Sequence, residues 1–148
     1  MLGKGENKLA IVKITRSDLS KYKRIDPVGW YAFEISEVKP PHSNKDQTGQ
    51  VFETVFKVLH DSNNGISNAG IEVSEYPSTN TGFKILEIAA AAEGVTQEEL
   101  LGDKDEMELE YDNIQGKKVW AEVYHEEYRG NLNNKLRSFM PYGGATPF

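Results

Sequence analysis

The chain has no cysteine among its 148 residues. That absence excludes disulfide staples, a thiol nucleophile and zinc sites built on cysteine. Any apolar run of about 18 residues is also missing, so no membrane span is expected. The opening stretch MLGKGENKLAIVKITRSD lacks an apolar signal core and a small-residue cleavage site, so a cytosolic protein is expected. Catalytic signatures are missing as well. His42, His60 and His125 are scattered, with no HExxH and no pair at helical spacing, and each reads as a surface histidine. There is no GxSxG elbow and no GxxxxGK[ST] loop. The run GDKDEMELEYD, 102–112, has the acidity of a calcium loop but not its central glycine or its terminal glutamate. The expectation is therefore a non-enzyme without metal or cofactor.

What is present is unevenly spread. The composition, 38% hydrophobic and 27% charged, is that of a single globular domain, and the net charge is −6. Residues 1–27 carry seven basic and three acidic side chains, a local balance of +4. Residues 98–112 carry eight acids and one lysine, a local −7. Residues 129–148 hold Arg129, Lys135 and Arg137 and no acid. Such segregation permits a basic groove on an acidic body, and equally a mixed solvated surface.

Period-two patterns mark the strands. GWYAFEISEVK, 29–39, alternates Tyr31, Phe33 and Ile35 against Trp30, Glu34 and Ser36. A long polar loop, PPHSNKDQTGQ, precedes a second strand at 51–61, and turn-rich sequence leads to a third at 71–77. The period then becomes helical. Phe83, Leu86 and Ala90 form one stripe, flanked by Ile85, Ile88, Ala89 and Ala92, with Gly94 as the stop. Thr96 and Glu99 fit a capping box opening a second, short helix. Two last strands, KKVWAEVYHEEY and NLNNKLRSFMPY, form a hairpin around an Asn-rich turn. KLAIVKI, 8–14, ranks lower as a further strand. Five antiparallel strands with a helix between the third and fourth is the order of an all-β OB-fold barrel, with an N-terminal extension at 1–27, the domain at 28–143 and a tail at 144–148. The loop after strand one and the loop between strands four and five would flank its ligand groove.

Alternation then separates two faces. Val119, Ala121 and Val123 suit a core, as do Leu136 and Met140. The other register exposes Trp30, Trp120, Tyr124 and Phe139 near Lys57, Lys118, Lys135 and Arg137. Lys39 at the end of strand one, Lys45 in the first flanking loop, and Tyr128 and Arg129 in the second complete the candidate set. Rings that stack on bases, with cations for phosphates, are what a sequence-tolerant single-strand binder requires. The same aromatics also suit a second apolar layer, under the helix or at a dimer interface.

Four ordered stretches, DPVGWYAFEISEVK, TGQVFETVFKVL, NTGFKILEIAAAAEGV and LEYDNIQGKKVWAEVYHEEYRGNLNNKLRSFMPYG, carry a family resemblance across residues 25–143. The chain resembles phage-encoded OB-fold single-stranded DNA-binding proteins, a family first catalogued as a phage domain of unknown function. The resemblance implies a replication or recombination accessory in the host cytoplasm that protects or presents single-stranded DNA, with replication or recombination proteins as further partners and oligomerisation left open. It assigns no contact residues. The ending GGATPF is similar to the Pro-Phe tip with which bacterial single-stranded DNA-binding proteins dock partners, which makes Phe148 a docking candidate, although the acidic run that precedes such tips is missing. The alternative is a protein-interaction or structural phage component that uses the same barrel face to bind protein.

Overall fold

In a computed structural model, residues 11–14, 23–45, 47–60 and 68–143 are described. The organising strand is β1, Gly29–Val38, which pairs antiparallel on one side with β4, Thr54–His60, and on the other with β6, Lys118–Tyr128. A short strand β5, Glu72–Glu75, extends the sheet beyond β4, and β7, Asn131–Pro141, extends it beyond β6. The order is β5-β4-β1-β6-β7. Residues 40–50, expected to be loop throughout, contain a two-residue-per-strand hairpin, β2 at His42–Ser43 and β3 at Gln50–Val51. Residues 11–14 lie outside any regular element, and the rest of the suggested strand at 8–14 falls outside the described residues.

Between β5 and β6 the chain crosses over as helix. A 3-10 turn, Thr79–Thr81, leads into α1, Gly82–Glu93, followed by α2, Gln97–Leu101. Gly94 ends α1 with φ 79°, and its N–H meets the carbonyls of Ala90 and Ala91, a conformation that glycine adopts at low cost. The Thr96–Glu99 capping box forms in both directions, with Glu99 N to Thr96 Oγ1 at 3.0 Å and Thr96 N to Glu99 Oε1 at 2.8 Å. The buried positions of α1 are Ile88, Ala89, Ala90 and Ala91. Phe83, placed by its periodicity on the packing stripe, is instead 73% exposed.

The apolar face of the sheet closes over one core. Tyr31, Phe33 and Ile35 of β1 meet Phe56 and Val58 of β4, Val73 of β5, Val119, Ala121 and Val123 of β6, and Leu136 of β7. Ile88 and Ala89 of α1 and the turn residues Tyr111 and Ile114 join the same core. Tyr111 hydroxyl lies 2.9 Å from Thr54 Oγ1 within this core, and burial raises its pKa above the ordinary tyrosine value.

The sheet curls until its two edges approach, yet no backbone ladder joins β5 to β7. A side chain bridges the seam instead. Glu75 of β5 is buried, and its Oε2 accepts the Leu136 N–H of β7 at 2.8 Å. Lys84 of α1 reaches Glu75 Oε1 at 2.8 Å, and Lys135 approaches Oε2 at 3.8 Å. Nearby, Glu87 of α1 accepts the Phe139 N–H at 3.0 Å. Two edge donors of β7 are thus satisfied by carboxylates, which matters because an unpaired backbone donor is costly to bury. Five antiparallel strands and an inserted helix are as expected from the sequence pattern. Among the described residues no backbone ladder closes the sheet into a barrel.

Candidate functional site

β6 and β7 form the longest ladder in the molecule, from Val119↔Pro141 to Tyr128↔Asn131. The strands are joined by a two-residue turn, Arg129–Gly130, with φ 52° and 83°. Positive φ at both central residues is the hairpin turn whose twist matches its strands. The expected loop EEYRGNLNN is therefore mostly strand. β1 pairs with β6 only as far as Gly29↔Val123. Beyond that point Tyr124–Tyr128 and Asn131–Lys135 continue as a two-stranded arm, roughly 17 Å long at 3.4 Å per residue.

The arm is anchored at its base. Ile25 is fully buried in the core, and its backbone is clasped by the hairpin: its N–H donates to Asn134 Oδ1 at 2.9 Å, and its carbonyl lies 2.8 Å from His125 Nε2. Asn134 Nδ2 also donates to the carbonyl of Lys23 at 3.0 Å. His125, expected at the surface, is half-buried and structural. Residues 23–27 thus belong to the folded unit rather than to an extension. Tyr31 hydroxyl and Asn68 Nδ2 complete the anchorage, on the carbonyls of Pro27 at 2.6 Å and Asp26 at 3.0 Å.

Directly opposed residues of an antiparallel pair share a face. Trp120, Glu122, Tyr124, Glu126 and Tyr128 lie on the face away from the core, with Trp30 and Ala32 of β1 opposite Glu122 and Trp120. Met140, Arg137, Lys135, Asn133 and Asn131 of β7 stand across from them. Trp120, Tyr124 and Tyr128 recur every four residues, so they mark a line of roughly 27 Å. Cations lie over the rings at three points along it. Arg137 is 4.7 Å from the Tyr124 ring centroid, Arg129 is 5.1 Å from that of Tyr128, and Lys118 is 5.7 Å from that of Tyr142. These distances are within the range of cation–π attraction. Arg137 also pairs with Glu122 at 3.3 Å, while Lys118 and Arg129 make no ion pair among the described residues.

The exposed register needs correction at two rings. Trp120 is only 6% exposed, because Tyr142 stacks on it with centroids 5.7 Å apart. Its face is the predicted one, but it is covered. Phe139 is 7% exposed and belongs to the core, 5.4 Å from Phe56, whereas Met140 is exposed. The cause is a bulge: the register shifts between Ala121↔Phe139 and Glu122↔Arg137, leaving Ser138 extra with φ 58°. One extra residue reverses every side chain beyond it. The same bulge puts Tyr142 on the aromatic face, where unbroken alternation assigns it to the core side.

The remaining candidates are dispersed. Trp30 is half-buried on the aromatic face, and Tyr128 is 61% exposed at the arm tip. Lys135 turns toward Glu75 at the seam. Lys57 faces Glu34 on one side and Glu72 on the other. Lys39 pairs with Glu53 at 3.3 Å, and its pKa is raised by the Glu53 hydrogen bond and charge. That pair borders a separate groove of about 510 Å³, lined also by Glu37, Glu72 and Tyr76. Lys45 is exposed in the β2–β3 turn, a loop held against the start of α1 by Gln50 N to Thr79 Oγ1 at 3.0 Å and Asn80 Nδ2 to Thr48 Oγ1 at 3.0 Å. Phe148 lies outside the described residues. The face therefore gathers Trp30, Lys118, Trp120, Tyr124, Tyr128, Arg129 and Arg137, and adds Met140 and Tyr142. Among the described residues, no group of three histidines or carboxylates is arranged to hold a metal, and no helix is long and apolar enough to cross a membrane. No protein-family model matches the chain, and no curated protein matches it either.

Proposed function

We propose that the chain is an OB-type barrel that binds single-stranded DNA with little sequence preference, and protects or presents it during phage DNA replication or recombination. The observation that carries this reading is the line of rings with cations above them, running from the sheet onto a projecting arm. Stacking on such rings is worth roughly 1–3 kcal/mol per base and tolerates any sequence, because every base has a π-face. The OB assignment is supported by the strand order, the crossover helix between β5 and β6, and the side-chain seam between the sheet edges. The phage assignment rests on the family resemblance alone.

The electrostatic share of binding is small in this reading. Glu122 and Glu126 stand on the same face, so only Lys118, Arg129 and Arg137 are placed to meet phosphates. Three contacts at about 0.7 each give a log–log salt slope of about 2, which is modest for a nucleic-acid binder. The test is a titration of the protein with short single strands and matched duplex, followed by tryptophan fluorescence at several salt concentrations. Preference for the single strand with a slope near that value supports the reading. Equal affinity for duplex, or no binding, sinks it and favours the alternative, a protein partner on this face, with which the acids in the line and the net charge of −6 agree.

A further inference from the structure

A second surface lies away from the aromatic line. Gly82, Ile85 and Leu86 of α1, Leu101 of α2, and Met107 and Leu109 of the segment that follows line an apolar groove of about 220 Å³. Phe83, beside Gly82 in the chain, is the most exposed ring in the protein's described part at 73%. The elements that supply Leu101, Met107 and Leu109 also carry Glu98, Asp103, Asp105, Glu106, Glu108 and Glu110, all exposed. From 106 to 110 the chain reads Glu-Met-Glu-Leu-Glu: the apolar residues are half-buried at the groove and the acids point to solvent. The surface is therefore both greasy and strongly negative.

The complementary chemistry is found in the same chain. Residues 8–16, KLAIVKITR, carry Lys8, Lys13 and Arg16 and no acid, around a run of apolar side chains. Ile11, Val12 and Ile14 are exposed, Ile11 to 84%, so the chain's own fold leaves them uncovered. An exposed apolar segment with basic flanks and an apolar groove with an acidic rim satisfy each other's unmet burial and charge.

We infer that the groove between α1, α2 and residues 106–110 takes the segment 8–14 of a second copy of this chain. The contact is heterologous, segment into groove, and each copy carries one of each. This assignment is independent of single-strand binding, because it uses neither the arm nor the aromatic line.

The test measures the mass of the full chain by analytical ultracentrifugation across concentration and salt. Association that grows with concentration and weakens toward 1 M salt is expected, because the Debye length shortens to about 3 Å there. Ile11→Asp and the pair Glu106→Lys with Glu108→Lys change exposed positions, and each should weaken association by at least about tenfold while circular dichroism stays unchanged. The cysteine-free background permits a direct probe. Val12→Cys and Glu108→Cys proteins, mixed under oxidising conditions, should cross-link to each other more than either does to itself. A monomer at every concentration overturns the inference. So does association that survives both sets of substitutions. A disulfide formed within single chains of a Val12→Cys, Glu108→Cys double variant at high dilution would also overturn it, by placing the segment on its own molecule.

Discussion

The two halves of the β6–β7 hairpin end in opposite situations, although β6 alternates without a break through both. In the half embedded in the sheet, Val119, Ala121 and Val123 are covered by the core and Trp120 by Tyr142. In the arm, Tyr124 is half-buried beneath Arg137, Tyr128 is mostly exposed, and Leu132 on the opposite face is exposed as well. Alternation assigns a side chain to a face. Whether that face is wet depends on what else the fold lays over it. The embedded half therefore contributes stability, and the arm contributes surface.

Substitutions can break or sharpen that contrast. The largest effect is expected from Val123→Asp, which places an unpaired charge in the core at the last position where β1 supports β6; a loss of more than about 4 kcal/mol should leave no cooperative thermal unfolding. Trp120→Ala comes next. With its ring covered by Tyr142, it should lower unfolding free energy by about 3 kcal/mol in denaturant titration, the range of large core aromatics. A protein that loses single-strand affinity but keeps its stability would move Trp120 into the arm's category. Tyr128→Ala should do the reverse, changing stability by less than about 0.5 kcal/mol and weakening oligonucleotide binding by about 1–3 kcal/mol in fluorescence titration. The smallest effects belong to the cations: Lys118→Ala and Arg129→Ala should each reduce the salt slope by about 0.7 and leave the melting temperature unchanged.

The legible part of the fold was that written in local chemistry. Tyr31, Phe33 and Ile35, and Val119, Ala121 and Val123, lie in the core because a pleated strand forces alternate residues to one side. Thr96 and Glu99 found each other because a capping box spans only three residues. What stayed illegible was non-local or silent in residue type. Ser138 adopts a positive φ that nothing in SFMPY announces, and so Phe139 and Met140 exchanged faces. Lys135 is drawn to Glu75, 60 positions earlier, across a seam that only the curl of the sheet creates. Trp120 was placed on the correct face, but its cover comes from Tyr142, beyond the end of the strand it shields against.

The carboxylates at the seam have a consequence for solubility. β7 ends the sheet, and an end strand offers its unused amide groups to any extended chain that passes, which is how sheets from different molecules fuse. Glu75 and Glu87 occupy two of those amides, at Leu136 and Phe139, so a foreign strand would have to displace them to dock. Glu75 therefore acts as a guard as well as a brace. A chain that lost it would keep its hydrophobic residues and most of its ladder, and would present an unguarded edge on which aggregates could grow.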